Sequence, residues 1–264
     1  MGGTPVAPVK LYGGSKGGWV NFPEPTSGYG TFAGWYLDED RDKPFTVFTY
    51  EDEVKLYAKW DAYYEIGDTG PGDGIIFYRK ELGFPIEGYT HPDIPDYSGN
   101  FLEYKAYYLE AAPAGWWNDG ANDPSLRWAP AESDAYIPAV EGARDSPTGT
   151  IGTGRKNTAL ILVQAGSDTA VNAPAANACN TYDSANNWFL PSMFELQELS
   201  LFHIAAKNGS YPGLTTGLAD HDYWTSTQRS IGSDQVAMNH HFTTDISDYT
   251  TKSSFLRVRP IRAF

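Results

Sequence analysis

The chain has 264 residues, with 33 Asp and Glu against 19 Lys and Arg and a net charge of −14 with neutral histidines. A chain this acidic is a poor electrostatic match for nucleic acid or an anionic membrane, so both partners are disfavoured. With 15% aromatic residues, 27 glycines, 18 prolines and one cysteine, it reads as a loop-rich globule, too aromatic for a disordered chain and without an intrachain disulfide. Apolar runs such as Ala159–Val163 fall far short of the ~20 residues of a membrane span. The start, Met1-Gly2-Gly3-Thr4-Pro5, has no basic segment followed by an apolar one. The chain is therefore expected to be cytoplasmic or to have lost a leader.

Residues 9–60 are dominated by β-formers and turns: Val9–Tyr12, Phe32–Tyr36, Phe45–Phe48 and Val54–Tyr57, the last alternating as a half-buried strand does. The stretch Gly28-Tyr29-Gly30-Thr31-Phe32-Ala33-Gly34-Trp35-Tyr36-Leu37-Asp38, followed by Val54–Trp60, resembles one Listeria–Bacteroides repeat of bacterial surface proteins. The resemblance implies a small β-grasp-like spacer. Trp35, Tyr36, Tyr57 and Trp60 read on their own terms as its core rather than as a ligand site. A small β module over 1–60 and a larger domain over 61–264 are expected.

In the larger domain, Gly67–Gly74 reads as a glycine-rich turn feeding a buried strand at Ile75–Tyr78. No Gly-Lys-Ser/Thr follows, so it is not a phosphate loop. Tyr107–Ala112 is a second strand, stopped by Pro113, and residues 114–148 read as long loops. A short apolar helix is expected over Asn157–Gln164 with Gly166 as its stop. A stronger one begins at Ser192-Met193-Phe194-Glu195, a capping box, and ends at Lys207-Asn208-Gly209. The Ala-rich surroundings of Cys179 also read as helix. Strands return at Tyr223–Thr227, Gln235–Phe242 and Phe255–Ile261. In the second of these, Val236, Met238, His240 and Phe242 face one way and Ala237, Asn239 and His241 the other.

Six motifs stand in order: Tyr64–Pro71 with Gly74–Tyr78, Tyr108–Pro113, Ile151–Gly154 with Asn157-Thr158, Trp188–Ser192 with Glu195-Leu196, Tyr223–Thr227, and Val258–Phe264. Together they resemble a bacterial family with a C-type-lectin-like fold, of the branch that contains the formylglycine-generating enzymes. The expected fold class is thus α+β. The Tyr-Trp-Thr-Ser-Thr opening, the polar stretch after it and the terminal Val-Arg-Pro-Ile-Arg-Ala-Phe are similar to the variable region of diversity-generating retroelement proteins, here at about 221–264. The resemblance implies surface display as a lipoprotein whose leader is absent from this chain, and a protein or glycan ligand on another cell or host. It also implies that Asn codons diversified at adenines never become Trp, Met, Gln, Lys or Glu. Trp224, Gln228, Gln235, Met238 and Lys252 would then be framework. Arg229, Ile231, Asp234, Ala237, Asn239, His241, Thr243, Asp245, Ser247 and Tyr249 are residues such codons can reach, and they are the expected ligand-binding set.

Trp224 and Tyr249 are the natural aromatic anchors of such a face, although a strand tryptophan serves equally as core. The C-terminal arginines are expected to tie the last strand to acidic neighbours. A metal at His240, His241 and Asp245 is disfavoured, because adjacent strand residues point to opposite faces. Asp220-His221-Asp222 reads as a surface turn. Trp117-Asn118-Asp119 lacks the companion motif of calcium-dependent sugar lectins. The formylglycine-generating enzymes use a cysteine pair, and Cys179 stands alone. No hydrolase elbow or metalloprotease helix is present, so neither catalysis nor a cofactor is expected.

Overall fold

The structure is a computed structural model that describes residues 32–45, 55–60, 63–118, 120, 122–130, 137, 140, 150–183, 185, 187–229 and 236–264. The chain divides into two compact units, Met1–Tyr64 and Glu65–Phe264. In the first, β1 (Phe32–Tyr36) pairs antiparallel with β2 (Tyr57–Trp60). The rings of Phe32 and Trp35 meet edge to face at 5.2 Å, and the Lys59 ammonium lies 5.0 Å from the centre of the Tyr36 ring. Every residue of β1 is half-buried, Trp35 and Tyr36 included. The strands expected at 9–12 and 46–48, and Val54, lie outside the described residues.

The second unit is α+β. Its first sheet places β4 (Tyr104–Ala111) between β3 (Ile75–Ile86) and β10 (Ile261–Ala263), all antiparallel. Ala111 pairs with Ile75 on one side and with Ile261 on the other, so the start and end of the unit meet on one strand. The second sheet runs β5 (Ser125–Leu126), β9 (Leu256–Arg257), β6 (Asp222–Gln228), β7 (Val236–His241), β8 (Ile246–Thr251). Among the helices, α1 (Gly154–Ala165), α2 (Thr169–Asn172) and α3 (Pro174–Thr181) precede α4 (Met193–Lys207). The helices read from the sequence are present, α1 starting three residues earlier than its apolar run. The strand β8 was not anticipated, because Ile246-Ser247-Asp248-Tyr249-Thr250-Thr251 carries mostly polar residues.

Among the described residues, two hydrophobic clusters fill the unit. One gathers Trp128, Ile161, Leu162, Ala175, Cys179, Trp188, Trp224 and Ala237. The other gathers Phe77, Ile86, Leu109, Leu196, Leu199, Phe202, Tyr223, Phe242 and Ile261. Helix α1 packs against β6, and α4 against β6 and β7. The central strands β6 and β7 therefore have an apolar layer on each face.

Buried charge fastens the ends together. The Glu195 carboxylate accepts the Ser192 N–H at 2.7 Å, closing the capping box, and the Gly152 N–H at 2.8 Å. Gly152 sits at φ +101°, and a Cβ there would come within 2.0 Å of the Pro85 carbonyl oxygen, which explains the glycine in this motif. Burial raises the Glu195 pKa to about 6 against the pull of these donors. Glu110, fully enclosed, accepts the Gly72 and Gly74 N–H groups at 3.0 and 2.7 Å, and lies 3.5 Å from Arg262. Arg259 and Asp123 form an ion pair at 2.7 Å, both side chains only 1% exposed. The Arg259 guanidinium also donates to the carbonyls of Ala112 and Gly217, at 2.6 Å each. Asp123 in turn accepts from Trp116 Nε1 at 2.7 Å and from the Tyr223 hydroxyl at 2.6 Å. Arg257 donates to the Asp123 carbonyl. These three arginines bind acidic neighbours and backbone, as expected for them.

Candidate binding face

The C-terminal hairpin is β7–turn–β8, joined by Phe242–Asp245, with His241 opposite Ile246. Asp245 closes the turn at φ +53°, donating its N–H to the His241 carbonyl at 3.0 Å. Short acidic and amide side chains tolerate that left-handed conformation better than most. The His241 ring nitrogen Nδ1 accepts the N–H groups of Thr243 and Thr244 at 3.2 and 3.3 Å, holding the turn from inside.

This register sorts the expected ligand-binding residues in a way alternation along one strand does not reveal. Directly opposed residues of an antiparallel pair share a face. His241 lies opposite Ile246, Asn239 opposite Asp248 and Ala237 opposite Thr250, whereas Ser247 lies opposite His240 and Tyr249 opposite Met238. Ala237, Asn239 and His241 are consequently on one face of the hairpin, and Ser247 and Tyr249 on the other. The face assigned to 237, 239 and 241 is also not open. Ala237 is fully buried within the cluster that holds Trp224, and Asn239 is 4% exposed; only His241 keeps partial access. The expectation failed because it required one covered and one open face. A central strand between two apolar layers has two covered ones.

Trp224 is likewise core. Its side chain has no exposure and its indole N–H donates to the Leu126 carbonyl at 2.9 Å, so it cannot anchor a ligand directly. Ile231, Asp234 and Gln235 lie outside the described residues. Gln228, Met238 and Lys252 are buried with Trp224. The Lys252 ammonium donates to Gln228 Oε1 at 2.7 Å and lies 4.7 Å from the centre of the Trp128 ring.

What remains open is the rim of the hairpin: Arg229, Thr243, Asp245, Ser247 and Tyr249. Tyr249 is 44% exposed, and the Arg229 guanidinium stacks over its ring at 4.0 Å. Ile246, exposed on the same strand, and Asp248 join this rim, although the sequence reading omitted both. The signal for Ile246 was present: a lone aliphatic in a polar run has no core partner to alternate with. Beneath the rim, His240 is fully enclosed, with Nδ1 2.9 Å from Ser247 Oγ and Nε2 2.8 Å from Asp245 Oδ1. Burial draws its pKa below the ordinary histidine value, and Asp245 partly opposes this.

The Ser247–His240–Asp245 array has the residue types of a nucleophilic triad, but the His240 ring is fully enclosed and has no surface from which to protonate a leaving group. It holds the turn to the sheet. Cys179 is fully buried, and burial pushes its thiol well above the usual range, away from the reactive thiolate. Among the described residues, no group of three or more His, Cys, Asp or Glu side chains is placed to hold a metal, and no helix is long and apolar enough to cross a membrane. Asp220, in the expected surface turn, receives Lys207 Nζ at 2.5 Å and His203 Nε2 at 3.3 Å. Compared with known proteins, the chain matches no family model and no curated sequence.

Proposed function

We propose that the second unit is a non-enzymatic ligand-binding domain of C-type-lectin-like fold, displayed at a bacterial cell surface, whose hairpin rim carries diversifiable residues. The observation that carries this reading is that, over 221–264, the described residues of unreachable types are all buried, whereas reachable types are divided between the core and the rim. The described residues of types that adenine-directed change cannot produce, Trp224, Gln228, Met238 and Lys252, are all at most 5% exposed. Arg229, Thr243, Asp245, Ser247 and Tyr249, all of reachable types, stand at or near the surface. A rigid sheet presenting an aromatic flanked by small polar and charged side chains is the composition of an adaptable paratope. The meeting of the unit's first and last strands on β4 supports the lectin-like topology. The β1–β2 pair suits a spacer that lifts such a domain from an anchor carried elsewhere, as in a lipoprotein.

Sequencing the 3′ end of the gene and its neighbourhood in sister isolates tests the reading. Differences concentrated at codons 229 and 243–249, matched by adenines in a nearby imperfect copy, are the expected result. An invariant end with no copy overturns diversification.

One observation favours a second reading, a fixed-specificity adhesin or glycan-binding module of the same fold. His240 bonds to both Asp245 and Ser247, so changing either residue leaves a buried nitrogen without its partner, which penalises free variation there. Binding of one glycan or protein by isolates of identical 3′ sequence distinguishes this reading.

A further inference from the structure

Away from the hairpin rim, a pocket of about 330 Å³ opens between β3 and the first turns of α4. This is within the range of small-molecule sites. Tyr78, Phe84 and Pro85 of β3 form one wall, and Ile151 closes an end. Phe194 and Glu198 form the other wall; four residues apart on α4, they fall on one face of the helix while Met193, Leu196 and Leu199 go to the core. The Tyr78 and Phe84 rings meet edge to face at 5.6 Å, which fixes the wall.

Glu198 is the unexplained group here. It is half-buried among aromatic rings, and it takes no hydrogen bond and no ion pair from the described residues. Lys80, exposed at the rim of the same pocket, makes no ion pair with it. Burial raises the Glu198 pKa, and the negative charge of Asp245 nearby raises it further. One carboxylate and three aromatic side chains thus line the same space, and the one cation there, Lys80, stands at its exposed rim without pairing to Glu198. Carboxylates supply the charge that a cation seeks, ring faces attract it, and apolar walls accept the carbons attached to it.

We propose that this pocket binds a primary ammonium group on an apolar stem, with Glu198 as the charge partner and Tyr78, Phe84 and Phe194 around the stem. A free amine and a lysine side chain on a partner protein share this chemistry. The inference stands apart from diversification, since no residue of the variable stretch lines the pocket.

The test is calorimetric titration of the full chain at neutral pH with three isosteres: phenethylammonium, phenethyl alcohol and 3-phenylpropionate. The ammonium is expected to bind at least ten-fold more tightly than the other two. Glu198→Gln should abolish that preference while leaving the melting temperature within a few degrees, and Phe194→Ala should weaken it. Lys80→Gln, which removes a like charge, should tighten ammonium binding about two-fold and needs no change at Glu198. A lysine tripeptide blocked at both ends separates the sources. If it binds as n-pentylammonium does, a protein lysine reaches the site; if only the free amine binds, the ligand is a small molecule. Equal binding of the three isosteres, preference for the anion, weakening by Lys80→Gln, or a response that never saturates each overturns the proposal.

Discussion

The strand β6 and the strand β8 lie in the same sheet, on either side of β7, yet they have opposite characters. In Asp222–Gln228 every residue after the first is buried, polar ones included. In Ile246–Thr251 no residue is fully buried, and the pattern follows exposure to solvent rather than polarity, with Ile246 and Tyr249 outward. The difference arises from position: a central strand is enclosed by the layers on its two faces, whereas among the described residues the last strand has a paired neighbour on one side only. Tolerance of change should therefore fall steeply over the roughly 10 Å that separate two strands twice removed in a sheet. The binding face proposed above depends on that gradient.

The sharpest way to break the comparison is on the β6 side. Arg259→Ala leaves Asp123 charged and enclosed next to Tyr223, and should cost about 3–5 kcal/mol of unfolding free energy in denaturant titration. A loss below about 1 kcal/mol would mean that the pair does not hold the C-terminal segment to the loop around Asp123. Next comes Ala237→Leu on β7, between the two strands. Adding three carbons beside Trp224 should cost up to about 3 kcal/mol; a cost near zero would reopen the face that the structure shows closed.

A smaller effect follows from pH. The folded-state pKa of Glu195 is about 6, raised from 4.5. Its contribution to stability is therefore full below the unfolded value and is lost as pH rises through the folded one. The stability difference between the wild type and Glu195→Gln should fall by about 2 kcal/mol from pH 4.5 to 7. A difference independent of pH would show that the backbone donors hold the carboxylate ionised. The smallest change is expected at the edge. Tyr249→Ala should shift stability by less than about 0.5 kcal/mol, and a cost above about 2 kcal/mol would make Tyr249 a structural partner of Arg229 instead of a displayed residue.

The parts of the fold visible in the sequence are those fixed within a few neighbouring residues. The capping box at Ser192 and Glu195 and the glycine after Lys207-Asn208 bound α4, because both act within a turn of helix. The buried strand at Ile75 was legible from its glycine turn, but its extension to Ile86 was not, since pairing with β4 resumes only after an irregularity between Arg79 and Phe84. For the candidate face, periodicity separated Ala237 from Met238 correctly but said nothing about what covers each side. That information lies in residues distant in the chain, Trp128 on one side and Phe202 on the other. The Arg259–Asp123 pair joins residues 136 positions apart, so no local pattern announces it. The Glu198 pocket was missed for the same reason, since its two walls come from β3 and α4.

The four-residue turn of the hairpin has a consequence for how variation would be read. Because it places odd-numbered residues of β7 opposite even-numbered residues of β8, substitutions at every second position along 237–249 are shared between two surfaces, and no single bound molecule can meet them all. Changes at 249 would register as altered affinity, whereas changes at 237 and 239, and at 247 where the bond to buried His240 is lost, would register as altered folding yield. Measuring the two separately in natural variants would show which half of the series selection has been sampling.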